Sequence, residues 1–157
     1  MARNLGSTDA EVLEVIRQSC KAPRPEHFTD RNHCCECAEH DDLLLSRNLD
    51  SLTITDVGNP GWDPVCFVTD QAFFYYLPAL ARLALDPPSV GQGWYFEQLL
   101  FHLTYEGGSN RRMLAAGPRH KEAVRLLLDH VRGTRAALVK TFGCDKQLEQ
   151  ALTLWRG

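Results

Sequence analysis

From His27 to Asp41 the chain reads HFTDRNHCCECAEHD, the densest cluster of metal-binding side chains in the sequence. It holds His27, His33, Cys34, Cys35, Cys37 and His40. Thiolate sulfur and imidazole nitrogen are the ligands zinc prefers, and two cysteines separated by two residues form half of a common zinc motif. Cys34 and Cys37 have that spacing and are flanked by His33 and His40, so Cys34, Cys37, His33 and His40 are the candidate metal ligands. His27, Cys66 or His102 could complete a tetrahedral set. The second half of the motif, another Cys-x-x-Cys or a His-x-x-x-His at the usual distance, is missing.

Helical geometry would give the cluster one face. At 3.6 residues per turn, His33, Cys37, His40 and Leu44 fall within about 60° of one another, and Cys34 lies about 60° beyond Cys37. Three uses fit such a face. A metal ion could be held for structure or, with one coordination position open, for catalysis. The same side chains could instead be buried thiols and hydrogen-bonded histidines, since Leu44 continues the face and free cysteine packs as a small apolar group. Cys34 and Cys37 could also act as a redox pair, although the βαβ context of thioredoxin-like motifs is absent.

Other signatures of chemistry are missing. There is no Gly-x-Ser-x-Gly, no Walker A loop and no His-Glu-x-x-His. Gly91-Gln92-Gly93 lacks the third glycine and the preceding strand of a phosphate loop. A di-iron site needs Glu three residues before His, and Cys37 stands three before His40. His102 and Glu106 are spaced for a surface contact along one helix. Lys121, Arg125, Arg132 and Arg135 form a basic stripe, with Arg111, Arg112 and Arg119 nearby, that could meet phosphates of a nucleic acid or another anionic partner. Glu122 and Asp129 interrupt it and the net charge is -3, which weighs against nucleic acid.

Charge is segregated along the chain. Residues 26–70 carry ten acids and two bases, and residues 111–140 carry eight bases and two acids. The expectation is that the two blocks pack together and neutralise one another.

The elements that must position these groups read as helices. Thr8-Asp9-Ala10-Glu11 has capping-box form and opens a helix to Ser19, ended by the prolines of KAPRPEHF. Asp30 or Asn32 could cap a second helix over His33–Arg47. NLDSLTITDVGNPGWDP reads as an irregular loop with Trp62 as a core plug, and VCFV as a short extended piece. Thr69 or Asp70 caps QAFFYYLPALARLALD, which is apolar nearly all round and so predicts the buried central helix, with Phe73, Phe74, Tyr75 and Tyr76 in the core. Pro78 should kink or split that helix near Leu77. A further helix is expected over Trp94–Tyr105, closed by Gly107 and Gly108. A long amphipathic one should run from Pro118 to Phe142, with Gly143 after its end. A last short helix turns Leu148, Ala151, Leu152 and Trp155 inward. Cys20 and Cys144 have no motif context and read as packing residues.

These patterns predict an all-α fold of about six helices, in a single domain spanning residues 1–157. Hydrophobic residues make up 44% and charged residues 24%, enough to build a core without staples. No apolar run approaches the roughly 20 residues that span a bilayer, so no membrane partner is expected. The opening MARNLGSTDAEVLEVIRQ has no apolar core of a secretory signal, which points to a cytoplasmic setting with reduced thiols.

The segments HCCECAEHD, NPGWDP and FFYYLPALARLAL, with the C-terminal HVRGTRAALVKTFGCDKQLEQALTLW, resemble a family of uncharacterised bacterial proteins. The resemblance covers most of the chain from Pro25 onward. It implies a small bacterial protein and carries over no catalytic residues. The sequence thus reads first as a non-enzymatic helical protein holding one structural zinc and acting through contacts with an unidentified protein partner. A metal-dependent enzyme using the His33/Cys34/Cys37/His40 cluster is the alternative. A binder of nucleic acid or another anionic partner through the basic helix around Arg125 is the third reading.

Overall fold

The apolar run after Thr69 becomes the axis of the molecule. In the computed structural model, which describes residues 7–157, it is the helix α4, Asp70–Leu85. Phe73, Phe74, Tyr76, Leu77, Leu80 and Leu83 are all buried along it. Thr69 caps it by accepting from the Ala72 amide at 3.1 Å. Pro78 lies inside α4 and does not split it. Proline in a helix interior costs about 3 kcal/mol, but burying a single large apolar side chain returns roughly 1.5–3 kcal/mol, and α4 buries many.

Four longer helices pack around this rod. α1 (Asp9–Ser19) lies against α4 and α7 (Pro118–Thr134), α5 (Tyr95–Thr104) against α4, and α9 (Asp145–Trp155) against α5 and α7. Indole N–H groups fix two of these contacts: Trp94 donates to the Ala84 carbonyl and Trp155 to the Leu103 carbonyl, each at 2.9 Å. α2 (Cys35–Leu45) stands at one end. The Tyr76 hydroxyl donates to the Leu44 carbonyl at 2.6 Å, and the Arg24 guanidinium donates to the carbonyls of Leu44, Leu45 and Arg47. Together they satisfy carbonyls that the end of α2 leaves open.

The all-α expectation holds. Among the described residues there are nine α-helices, two short 3-10 turns (Pro64–Cys66 and Gly107–Ser109) and no sheet, only isolated bridges at Thr29–Val68 and Ser89–Gly93. The count exceeds six because three short helices escape periodicity. α3 (Ile54–Val57) sits in the expected loop, closed by a capping box between Thr53 and Asp56. α6 (Arg111–Ala115) is capped by Asn110, whose side chain accepts from the Met113 amide. α8 (Ala136–Thr141) is the end of the expected Pro118–Phe142 helix, which breaks at Arg135. There the Arg135 side chain turns inward to both oxygens of Asp9 and to the Leu85 carbonyl, all at 2.7 or 2.8 Å.

α1 occupies Asp9–Ser19 as expected, with Thr8 accepting from the Glu11 amide. The reading of the first six residues as part of a chain start without a secretory signal lies outside the described residues. No helix is long and apolar enough to cross a membrane among the described residues.

Among the described residues the two charge blocks form ion pairs with each other only where Asp70 faces Arg111 and Arg112. Elsewhere pairing is local or involves other partners: Asp41 and Asp42 with Arg31, Asp56 with Arg47, Arg132 with Asp129 and Glu149, and Arg135 with Asp9.

Candidate metal centre

The centre is built on a loop clamped to α2. Asp41, fully buried on α2, accepts from the Phe28 amide at 2.6 Å and the Thr29 amide at 3.3 Å through Oδ1. Its Oδ2 faces His27 Nδ1 and Arg31 Nη1, each at 2.9 Å. Burial alone would push the Asp41 carboxyl up, but Arg31, the Phe28 amide, His27 and the Thr29 amide hold it below its ordinary value. The Thr29 hydroxyl donates to the Cys37 carbonyl at 2.6 Å. Phe28 packs against the rings of Tyr75 and Tyr76 on the central helix. A turn at Asp30, whose carbonyl accepts from the His33 amide at 3.1 Å, then delivers His33 to the start of α2.

Cys34 is the N-cap of α2, with an extended backbone and a thiol that accepts from the Cys37 amide at 3.4 Å. The helix therefore starts two residues later than the expected His33, and the capping thiol, not helical periodicity, brings Cys34 onto Cys37. The two sulfurs are 3.4 Å apart, and Cys37 Sγ is 3.5 Å from His33 Nδ1. The ligand atoms of His33, Cys34 and Cys37 all lie within 4.8 Å of one another, so this group could hold a metal ion. Tetrahedral zinc, with bonds of about 2.3 Å to sulfur and about 2.0 Å to nitrogen, would set its sulfurs about 3.8 Å apart and sulfur and nitrogen about 3.5 Å apart.

The two thiols differ. Cys37 is buried and Cys34 exposed. The Cys37 amide, the His33 ring and the Cys37 thiol lower the Cys34 thiol below its ordinary value. Burial and the neighbouring Cys34 sulfur push Cys37 up.

No protein-family model, curated protein or solved structure matches this chain. What the centre can do therefore rests on its own geometry.

The other residues singled out in the sequence go elsewhere. His40 is buried, stacked on Phe67 with ring centres 4.9 Å apart and 4.7 Å from the Trp62 ring. Its Nε2 faces Glu36 Oε1 at 3.3 Å, and it is not among the three residues whose ligand atoms converge. Trp62, expected as a core plug, is 44% exposed and covers one side of His40. Cys35 is exposed, and Cys20 and Cys144 are buried in the core as packing residues. His27 is held by Asp41.

Cys66 and His102 form a second group with Asp63, again with ligand atoms within 4.8 Å of one another. His102 is buried against Asp63 rather than paired with Glu106 at the surface, and Glu106 turns away in a left-handed conformation. Asp63 was not singled out by its sequence context. The signal available was its place before Pro64, the position of an aspartate that caps a proline-led turn.

Proposed function

We propose that this chain is a zinc-binding helical protein in which Cys34, Cys37 and His33 hold the ion at the start of α2. The observation that carries this reading is the spacing of the three ligand atoms, 3.4 Å between sulfurs and 3.5 Å from Cys37 sulfur to His33 nitrogen. These separations are close to the edges of a zinc tetrahedron, and bound zinc would keep both thiolates deprotonated. Exposed His33 and Cys34 leave the fourth position facing solvent, where water or a group from a protein partner would fill it. Zinc would join the loop before α2 to the helix and so stabilise the end of the molecule that also carries Trp62. His40 supports this end by packing, outside the ligand set. A reducing, cytoplasmic setting and membership of the bacterial family it resembles complete the proposal.

The test is metal analysis of protein purified without added metal, alongside the Cys34→Ser/Cys37→Ser variant. The wild type should carry about one equivalent more zinc than the variant. Equal zinc in the two proteins would contradict the reading.

A second reading is favoured by the asymmetry of the thiols. An exposed, acidified Cys34 beside a buried Cys37 is the arrangement of a dithiol that attacks a disulfide and is then resolved. Cys34 thiolate would attack a partner's disulfide and release one partner thiolate. Cys37 would then displace the second, leaving a Cys34–Cys37 disulfide and a reduced partner. A metal-free protein whose Cys34 exchanges with glutathione disulfide, and whose Cys37→Ser variant stops at the mixed disulfide, would favour this reading over zinc.

A further inference from the structure

A second meeting of ligand-type side chains shares no residue with the group at the start of α2. Asp63 and Cys66 come from the turn before α4, and His102 comes from α5. Asp63 and His102 are only 3% and 6% exposed, while Cys66 opens the group to solvent. Asp63 Oδ1 accepts from the Val65 amide at 2.9 Å. Its Oδ2 accepts from Gln98 Nε2 at 2.6 Å and faces His102 Nε2 at 2.7 Å. Carboxylate, thiol and imidazole are the oxygen, sulfur and nitrogen ligands of zinc-type ions.

An independent observation points into the same place. Tyr95, Gln98 and His102 are spaced by three and four residues and so share one face of α5. Gln98 and His102 both meet Asp63, yet the Tyr95 hydroxyl on that face is buried without any hydrogen-bond partner. Burial, and then the charges of Asp63 and Cys66, hold its phenol well above the ordinary value. Buried hydroxyls normally have a partner, and a missing one signals a water or ion. Asp63 itself has two neutral amide donors and one imidazole, while the Arg112 guanidinium is occupied by Asp70 and the Val65 carbonyl. Among the described ion pairs the Asp63 carboxylate therefore has His102 as a partner and no arginine or lysine.

We propose that Asp63, Cys66 and His102 hold a divalent transition-metal ion of the zinc type, and that water on that ion is the partner of the Tyr95 hydroxyl. The ion would tie the turn before α4 to α5, two elements that sequence places far apart.

Cobalt(II) is the probe, added to the Cys34→Ser/Cys37→Ser protein so that the α2 centre is absent. About one equivalent should bind, with a thiolate-to-cobalt absorption band. Adding Cys66→Ser should remove that band, and adding Tyr95→Phe instead should keep the band while weakening affinity roughly tenfold. No band in the double variant, or a band that survives Cys66→Ser, would overturn the proposal. If either serine variant loses its helical circular dichroism, His102→Gln against the intact protein decides: about one equivalent of cobalt fewer in the variant upholds the Asp63 centre and equal cobalt overturns it. Failure of the α2 reading shows differently, as a metal content that Cys34→Ser/Cys37→Ser does not lower.

Discussion

Cys34 Sγ lies 3.4 Å from Cys37 Sγ because the first residue caps α2 and the second is the third residue of that helix. A side chain at the cap reaches for the amide of the third helical residue, and here the same reach brings two thiols together. Capping and metal binding thus use one geometry, and substitutions can separate them.

Serine caps a helix well, so Cys34→Ser should leave the metal-free protein within about 0.5 kcal/mol of the wild type. Zinc stabilisation at this centre should vanish. An ion present at about a thousand times its dissociation constant adds about 4 kcal/mol. Thermal melts with and without zinc, in a Cys66→Ser background so that only this centre is read, test the point. A Cys34→Ser protein still stabilised by zinc would remove Cys34 from the ligand set.

His33 and His40 should respond in opposite ways. His33 is exposed, so His33→Ala should leave the metal-free melting curve unchanged and weaken zinc binding by more than about 100-fold. His40 is packed between Trp62 and Phe67, so His40→Gln should cost about 1–3 kcal/mol and leave the metal stoichiometry intact. Competition with a chelating dye and urea unfolding measure the two effects.

Asp9 predicts a pH effect. A hydrogen bond from Arg135, helped by His130 and opposed by burial, lowers its carboxyl to about 2. A depressed folded value contributes stability above the ordinary carboxylate range, and that contribution is lost as pH falls through about 2. Because the Asp9 side chain is 46% exposed, screening keeps the effect below about 1 kcal/mol. Asp9→Asn should flatten the loss of stability between about pH 4 and about pH 2 in acid titrations of folding. An unchanged acid limb would contradict it.

Much of the fold was readable because apolar periodicity reports burial. The central run from Phe73 to Leu85 apart from half-buried Tyr75 and Arg82, the face of Val124, Leu127, Leu128 and Val131, and the inward residues of α9 all lie in the core. What escaped was set by single side chains acting over long distances. Nothing local to Gly133 and Thr134 shows that Arg135 will turn to Asp9, more than a hundred residues away, and so end α7. The metal-binding residue types were legible, but their geometry is set by the helix cap and not by the helical period. A helical His33 and Cys34 would group His40 with Cys37, whereas the cap sets His33 and Cys34 against Cys37 and leaves His40 to the aromatic rings. Asp63 was hidden because its partners, Gln98 and His102, come from another helix.

Arg135→Ala should cost about 2–3 kcal/mol, since it leaves Asp9 and the Leu85 carbonyl without their donor. Arg135→Lys should recover less than half of that, because an ammonium cannot address both oxygens of Asp9 in the fork geometry. Denaturant unfolding of the three proteins measures both. Equal stability of the lysine variant and the wild type would show that charge alone holds this junction.

The zinc content of the wild type against that of Cys34→Ser/Cys37→Ser, each purified without added metal and shown to be folded, tests the central claim most directly. A difference of about one equivalent is the result this account predicts. Identical metal content in the two proteins would contradict it.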